Sequence, residues 1–89
     1  MEVVIYSKPD CHLCDDVKAQ LARLRSSIKF DLQEVNVLDK KEDFEKYQYE
    51  IPVVFVNGKK AYKYHLDEND FIRRAEAILA RERNLVNGA

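Results

Sequence analysis

Two short apolar runs most constrain how this chain can fold. Val3–Tyr6 is apolar throughout, and so is Val53–Val56. Strands without polar alternation are typical of positions covered on both faces of a sheet. We therefore expect these runs to form central strands, with helices on both sides of the sheet.

Two other segments alternate apolar and polar residues. Ile28, Phe30 and Leu32 follow this pattern in the first, and Tyr62, Tyr64 and Leu66 follow it in the second. Alternation is typical of strands with one covered and one exposed face. We expect these segments to be the edge strands.

Three segments have the character of helices, and one dipeptide predicts a turn. A helix follows the first strand, a short one covers 39–48, and the last begins after Asp67, which we expect to cap it. Asn57-Gly58 predicts a tight hairpin, because both residues tolerate positive φ angles. The apolar stripes of the two long helices are Leu13, Val17, Leu21 and Leu24, then Phe71, Ile72, Ala75, Ile78 and Leu79.

The element order is therefore β-α-β-α-β-β-α. A βαβ crossover joins parallel strands and is right-handed, whereas a hairpin joins antiparallel strands, so the sheet must be mixed. With the continuous apolar runs in the centre, we predict an α/β fold. Its four-stranded mixed sheet has the order 2-1-3-4, with three helices on its two faces. A chain of 89 residues allows one core, so residues 1–89 are expected to form a single domain.

Charge and hydropathy exclude several classes of partner. The 15 basic and 16 acidic residues give a net charge of −1. Such a chain lacks the positive field that attracts nucleic acid or anionic lipid. No apolar run approaches the roughly 20 residues of a spanning helix, and no basic leader segment precedes the first strand. We expect a cytoplasmic monomer that binds neither nucleic acid nor membrane.

The two cysteines, Cys11 and Cys14, lie where a central strand is predicted to end and a helix to begin. Free N–H groups at a helix start carry partial positive charge, which stabilises a thiolate at Cys11. Cys14 lies one turn further in and should be less exposed. A thiolate attacks a disulfide, and a second thiol within reach resolves the mixed disulfide. The C-x-x-C spacing therefore predicts Cys11 as nucleophile and Cys14 as resolving thiol.

Metal binding by the same pair is the alternative. A metal site needs about four ligands, and the other soft donors are His12, inside the motif, and His65, on a predicted strand. A cluster shared between two chains, with thiols from outside, also stays open. The second functional class is therefore a non-enzymatic module that carries a metal or binds a partner protein.

These residues resemble the glutaredoxins, within the thioredoxin-like superfamily, over nearly the whole chain. The resemblance implies a thioredoxin-like fold and thiol–disulfide oxidoreductase activity without an organic cofactor. It also implies protein or small-thiol disulfides as substrates, glutathione as a candidate co-substrate, and glutathione or a thioredoxin-reductase-type protein as electron donor. The motifs that carry it are the strand ending Ile5–Lys8, the Cys11-His12-Leu13-Cys14 motif, the Ile51-Pro52 step and the Asn57-Gly58 hairpin.

The resemblance also implies binding residues. Pro52 would be cis and lie beside the nucleophile, and the backbone of Ile51 would pair with an extended substrate or with glutathione. Lys8 matches a lysine that assists the thiolate and meets a glutathione carboxylate. Independently of the resemblance, Tyr49 is a candidate for the substrate groove because it stands just before the Ile51-Pro52 step. Asp67 is expected to present a carboxylate at the start of the last helix.

The chain departs from the usual glutaredoxin pattern in two places. Glutaredoxins usually carry Cys-Pro-Tyr-Cys, whereas His12-Leu13 stand between the cysteines here, as in a branch of small bacterial glutaredoxin-like proteins. Glutaredoxins also carry a Gly-Gly pair where glutathione docks, and this chain has Tyr64-His65-Leu66. Without glycines the backbone cannot approach a ligand as closely. We therefore expect weaker use of glutathione.

Overall fold

A computed structural model describes the backbone of residues 1–87 and the side chains of residues 1–83. Its strands are β1 (Glu2–Ser7), β2 (Asp31–Asn36), β3 (Val53–Val56) and β4 (Lys59–Lys63). Its helices are α1 (His12–Leu24), α2 (Lys41–Tyr47) and α3 (Glu68–Asn87). None of the helices in this described part combines the length and the apolar character needed to cross a membrane.

The sheet has the strand order β2-β1-β3-β4. Strand β1 runs parallel to β2, with Tyr6 opposite Val35, and antiparallel to β3, with Tyr6 opposite Val53. Strands β3 and β4 form an antiparallel pair. The predicted fold class, mixed sheet and strand order are confirmed, and the two continuous apolar runs are the central strands.

One face of the sheet packs against α1 and α3. Alternate residues of each central strand point to this face, because side chains along a strand have a period of two. They meet the apolar stripes of the two long helices. The buried residues of this larger cluster are Val3, Ile5, Val17, Leu21, Leu24, Phe30, Val54, Val56, Leu66, Phe71 and Ala75.

The opposite face carries a smaller cluster covered by α2. The Tyr47 ring of α2 lies 4.6 Å from the Tyr6 ring and 6.0 Å from the Phe55 ring, measured between centroids. The three helices therefore cover both faces, as predicted. The smaller cluster contains Cys14, Val37, Tyr47, Ile51 and Val53, with Tyr6, Cys11 and Phe55 packed against it.

The helix predicted over 39–48 is divided in the structure. A 3-10 turn covers Val37–Asp39, Lys40 is extended, and α2 begins at Lys41. The Asn36 side chain accepts the Leu38 N–H at 2.9 Å and so begins a separate turn. The prediction located the helical segment correctly but missed this interruption, which depends on one side-chain hydrogen bond.

The predicted hairpin and cap are confirmed. Asn57 and Gly58 have φ angles of 49° and 81°. The Asn57 side chain also accepts the Glu2 N–H at 2.8 Å, which joins the turn to β1. At the start of α3, the Asp67 carboxylate accepts the Asp70 N–H at 3.1 Å, as expected of a capping residue.

Candidate active site

The two cysteines lie at the junction of β1 and α1. Cys11 is the N-cap of α1, with an extended backbone, and its Sγ accepts the Cys14 N–H at 3.2 Å. The two sulfurs form a disulfide, and the Cα atoms are 5.2 Å apart. Cys14 is fully buried, whereas Cys11 is partly exposed. Of the two cysteines, Cys11 is therefore the one that a molecule in solvent can reach.

The residue before the exposed cysteine has a left-handed backbone. Asp10 has a φ of 57°. Aspartate is one of the few residues other than glycine that visit this region routinely. The turn at Asp10 carries the chain from the buried end of β1 at Ser7 to the N-cap position at Cys11.

The segment before β3 lies against the cysteine pair. Ile51 is buried in the same cluster as Cys14, and Cys11 packs against that cluster. The Ile51–Pro52 peptide bond is cis, as the resemblance implied. Within residues 1–83, the Ile51 N–H and C=O make no hydrogen bond.

The loop between β4 and α3 forms the neighbouring wall of the site. The Tyr64 N–H donates to the Pro52 carbonyl at 2.8 Å, and the Tyr64 hydroxyl donates to the Tyr49 carbonyl at 2.7 Å. The buried Leu66 presents its carbonyl to the Gln20 side chain of α1 at 3.1 Å. The loop is therefore held to the pre-proline segment on one side and to α1 on the other.

The other predicted binding residues, Tyr49, Asp67 and Lys8, are all exposed. Tyr49 flanks the Ile51-Pro52 step with its side chain 82% exposed. Asp67 is exposed and bonds its own helix. Lys8 is exposed beside the cysteine loop, where it lines a depression of about 140 Å³. That depression is also lined by Ser7, Pro9, Lys18, Glu34 and Asn36.

Glu34, which the sequence did not single out, bridges the elements that hold the cysteine loop. Its carboxylate on β2 accepts the Ser7 hydroxyl at 2.9 Å and the Lys18 ammonium at 3.0 Å. Ser7 ends β1, and Lys18 lies one turn beyond Cys14 on α1. The bonds from Lys18 and then Ser7 lower the pKa of Glu34, and the bond to Glu34 raises the pKa of Lys18.

Replacing Glu34 by glutamine is expected to destabilise the protein by about 1 kcal/mol or less at neutral pH, because exposed ion pairs contribute little. The amide oxygen can still accept the Ser7 hydroxyl, so the main loss is the charge. The folded state lowers the pKa of Glu34. Its contribution is therefore fully present above the unfolded pKa and is lost as pH falls through the folded pKa.

Urea unfolding of wild type and Glu34→Gln at neutral and at acidic pH measures this effect. We expect the difference in unfolding free energy to shrink as the medium becomes acidic. A difference of the same size at both pH values would contradict the ion-pair interpretation.

Metal donors near the cysteine pair are sparse. Among the residues that the structure describes, no group of three or more His, Cys, Asp and Glu side chains is placed to hold a metal ion. His12 and His65 are both exposed. A metal on Cys11 and Cys14 would therefore need further ligands from a second chain or from small thiols.

Solved structures from three organisms share this fold. The solution NMR structure of protein Ne2328 from Nitrosomonas europaea is 29% identical, covers 83% of this chain and 89% of that chain, and has a TM-score of 0.71. The X-ray structure of XcR50 from X. campestris is 23% identical, with coverages of 84% and 96% and a TM-score of 0.68. Thioredoxin 1 from Thermosipho africanus is 12% identical, with coverages of 93% and 99% and a TM-score of 0.66. The similarity to XcR50 and to thioredoxin 1 concerns the fold alone.

The family comparison covers most of the chain. None of the curated proteins matches it significantly. The model of the glutaredoxin-like domain (DUF836) matches residues 2–76, a range that includes both cysteines, the Ile51-Pro52 step and the loop at Tyr64. Together with the sheet order and the position of the C-x-x-C motif, this match confirms the resemblance inferred from the sequence. The chain belongs to the glutaredoxin-like domain family (DUF836) and has a thioredoxin-like fold.

Proposed function

We propose that the protein is a thiol–disulfide oxidoreductase in which Cys11 attacks substrate disulfides and Cys14 resolves the mixed disulfide. The observation that carries the proposal is the arrangement of the pair. Cys11 is partly exposed at the N-terminus of α1, and the fully buried Cys14 lies within bonding distance of it. Two thiols in this order supply both halves of an exchange cycle.

The proposed reaction balances without any other redox group. The Cys11 thiolate attacks one sulfur of a substrate disulfide, forms a new S–S bond and expels the other sulfur as a thiolate, which takes up a proton. Cys14 then loses its proton and attacks the Cys11 sulfur, releasing the second substrate thiol and closing the Cys11–Cys14 disulfide. Two electrons pass from the protein to the substrate, so no organic cofactor takes part.

Substrate binding is proposed along the segment before β3. The unpaired N–H and C=O of Ile51 would bond to an extended chain laid beside them, with Pro52 behind and the exposed Tyr49 ring at its edge. The exposed Lys8 would assist the Cys11 thiolate by its positive charge. Asp67 would contribute the carboxylate oxygen that its helix cap leaves free.

The proposed substrates are disulfides of proteins or small thiols. Glutathione or a thioredoxin-reductase-type protein would return two electrons, and a monomer in a reducing compartment such as the cytoplasm suits this cycle. Glutathione is expected to bind more weakly than it does to a standard dithiol glutaredoxin, because Tyr64 stands where a docking glycine would be. Losing one anchored carboxylate corresponds to about 1.5 to 3 kcal/mol, or roughly ten- to a hundredfold in affinity.

A small neutral disulfide, bis(2-hydroxyethyl) disulfide, tests the proposal. Reduced wild-type protein is expected to release both halves as thiols while its cysteines become the Cys11–Cys14 disulfide, as measured by thiol titration and mass spectrometry. Cys11→Ser should be inactive, and Cys14→Ser should stop at a mixed disulfide on Cys11.

An inert wild-type protein, or a Cys11→Ser variant that reacts like wild type, would contradict the proposal. Stoichiometric metal in an inert protein as purified would instead favour the metal-carrying alternative.

A further inference from the structure

Tyr64 has a backbone conformation that tyrosine rarely adopts. Its φ is 68°, and the other non-glycine residues with positive φ in the described chain are Asn57, in the hairpin, and Asp10, before Cys11. Asparagine and aspartate tolerate this region, whereas a bulky side chain there is strained. Such strain persists only where surrounding contacts impose it, and it clusters at functional sites.

Four contacts hold Tyr64 in this conformation. The first is the 2.8 Å bond from the His65 N–H to the Lys63 carbonyl, which closes a three-residue turn around Tyr64. The Tyr64 N–H bonds the Pro52 carbonyl at 2.8 Å, and its hydroxyl bonds the Tyr49 carbonyl at 2.7 Å. The Lys63 ammonium lies 5.7 Å from its ring centroid. We call the hydroxyl–carbonyl bond between Tyr64 and Tyr49 the tyrosine clasp. It ties the end of β4 to the segment whose Ile51 backbone is unpaired.

The charged groups next to the clasp are already paired. The Glu50 carboxylate lies 2.9 Å from the Lys60 ammonium and 3.6 Å from the Lys63 ammonium. A ligand carboxylate arriving beside Tyr64 would have to compete with Glu50 for both cations. We therefore expect this side of the site to bind the charged ends of a small peptide such as glutathione weakly.

The same side of the site exposes apolar surface instead. Leu13, between the cysteines, is 39% exposed, Tyr64 is 38% exposed and Tyr49 is 82% exposed. These three side chains come from the three segments that build the site. The hydroxyl of Tyr64 contacts the Tyr49 backbone, and exposed apolar groups that adjoin one another are typical of a surface that a partner covers. An extended polypeptide paired with Ile51 would place the neighbours of its own cysteine against them.

We propose that Tyr64 is a specificity-determining residue that directs the site to cysteines flanked by apolar residues in extended polypeptides, in preference to glutathione. This inference rests on the proposed oxidoreductase function. The ring supplies apolar contact at the edge of the site. The clasp fixes the Tyr49 carbonyl, and with it the position of the Ile51 backbone.

The test compares rates of single-turnover reduction for matched mixed disulfides that share one leaving thiol. One probe is a short peptide with leucine and phenylalanine beside its cysteine, the second has serine and glutamate there, and the third is glutathione. Wild type is expected to reduce the apolar peptide at least about tenfold faster than the other two, the range of selectivity that apolar contacts give.

Two Tyr64 variants separate the ring from the clasp. Tyr64→Gly is expected to bring the three rates within about threefold of one another, because glycine adopts this backbone freely and leaves the space open. Tyr64→Phe keeps the ring but loses the clasp. Its preference for the apolar peptide should lie between those of wild type and Tyr64→Gly. Tyr62→Phe is the matched control, since it also loses a 2.7 Å hydroxyl bond, to Asp70 on the larger cluster's side. It should keep the wild-type preference.

Three results would overturn the inference: equal rates for wild type on all three probes, an unchanged preference in Tyr64→Gly, or a loss of preference in Tyr62→Phe as large as that in Tyr64→Phe. The neutral bis(2-hydroxyethyl) disulfide distinguishes this failure from failure of the proposed function. If wild type does not reduce it, the oxidoreductase proposal fails. If wild type reduces it but shows no preference among the peptides, the role of Tyr64 alone is wrong.

Discussion

Alkylation of the reduced protein near neutral pH is expected to label Cys11 at least about tenfold faster than Cys14. Alkylating reagents react with exposed thiolates, and Cys11 is partly exposed whereas Cys14 is fully buried. The Cys14 N–H lies 3.2 Å from the Cys11 sulfur, where the first turn of α1 stabilises negative charge. Both effects favour reaction at Cys11.

A time course with iodoacetamide, followed by mass mapping of the labelled peptides, measures the two rates. The same experiment in concentrated urea is the control, because unfolding removes the difference in exposure. Equal rates in the folded protein, or faster labelling of Cys14, would contradict the assignment of Cys11 as nucleophile.

Phe71→Ala is expected to lower the unfolding free energy by about 3 to 5 kcal/mol. Phe71 is 1% exposed and anchors α3 to the sheet. Its ring lies 5.4 Å from the Phe30 ring and 6.3 Å from the Tyr62 ring, measured between centroids. Truncation leaves a cavity among aromatic side chains that cannot collapse fully. Much of the stability of a domain of this size is lost.

Urea unfolding with linear extrapolation measures the loss, and Phe44→Ala is the matched control. Phe44 is 36% exposed on α2, so the same substitution should cost much less there. Phe71 belongs to the larger cluster and not to the one around Cys14. The folded fraction of Phe71→Ala should therefore keep the wild-type ratio of cysteine labelling. A similar cost for both substitutions would contradict the assigned packing of α3.

The strand order was predictable because burial on both faces leaves a continuous apolar signature. Val3–Tyr6 and Val53–Val56 carry that signature, and Asn57-Gly58 requires an antiparallel neighbour. The division of the helical segment at Lys40 was not predictable, since it depends on the Asn36 side chain bonding the next turn. The hydrophobic periodicity of a sequence indicates which face of a helix is covered. It does not show where a single capping hydrogen bond ends one turn and starts another.

The candidate site was predictable where it is local in sequence. The positions of Cys11 and Cys14 follow from their spacing at a strand–helix junction, and the resemblance implied the cis bond before Pro52. Tyr62 and Tyr64 alternate with polar residues, and this pattern predicts that Tyr64 is an ordinary strand residue. Positive φ is rare for tyrosine, so no local pattern indicates its bond to the Tyr49 carbonyl.

Glu34 illustrates the same limit. Its partners Ser7 and Lys18 lie on other elements, and only the assembled sheet and helix bring the three side chains together.

Equilibration of the protein in buffers of defined thiol-to-disulfide ratio tests the proposed dithiol chemistry most directly. Rapid alkylation and intact-mass measurement would give the fractions of reduced protein, Cys11–Cys14 disulfide and mixed disulfide at each ratio. We expect one reversible two-electron transition between the dithiol and the intramolecular disulfide, with a tenfold change in equilibrium constant for about 30 mV. Thiols that stay reduced across the whole range, or that pass only into single-thiol adducts, would contradict dithiol exchange at this pair.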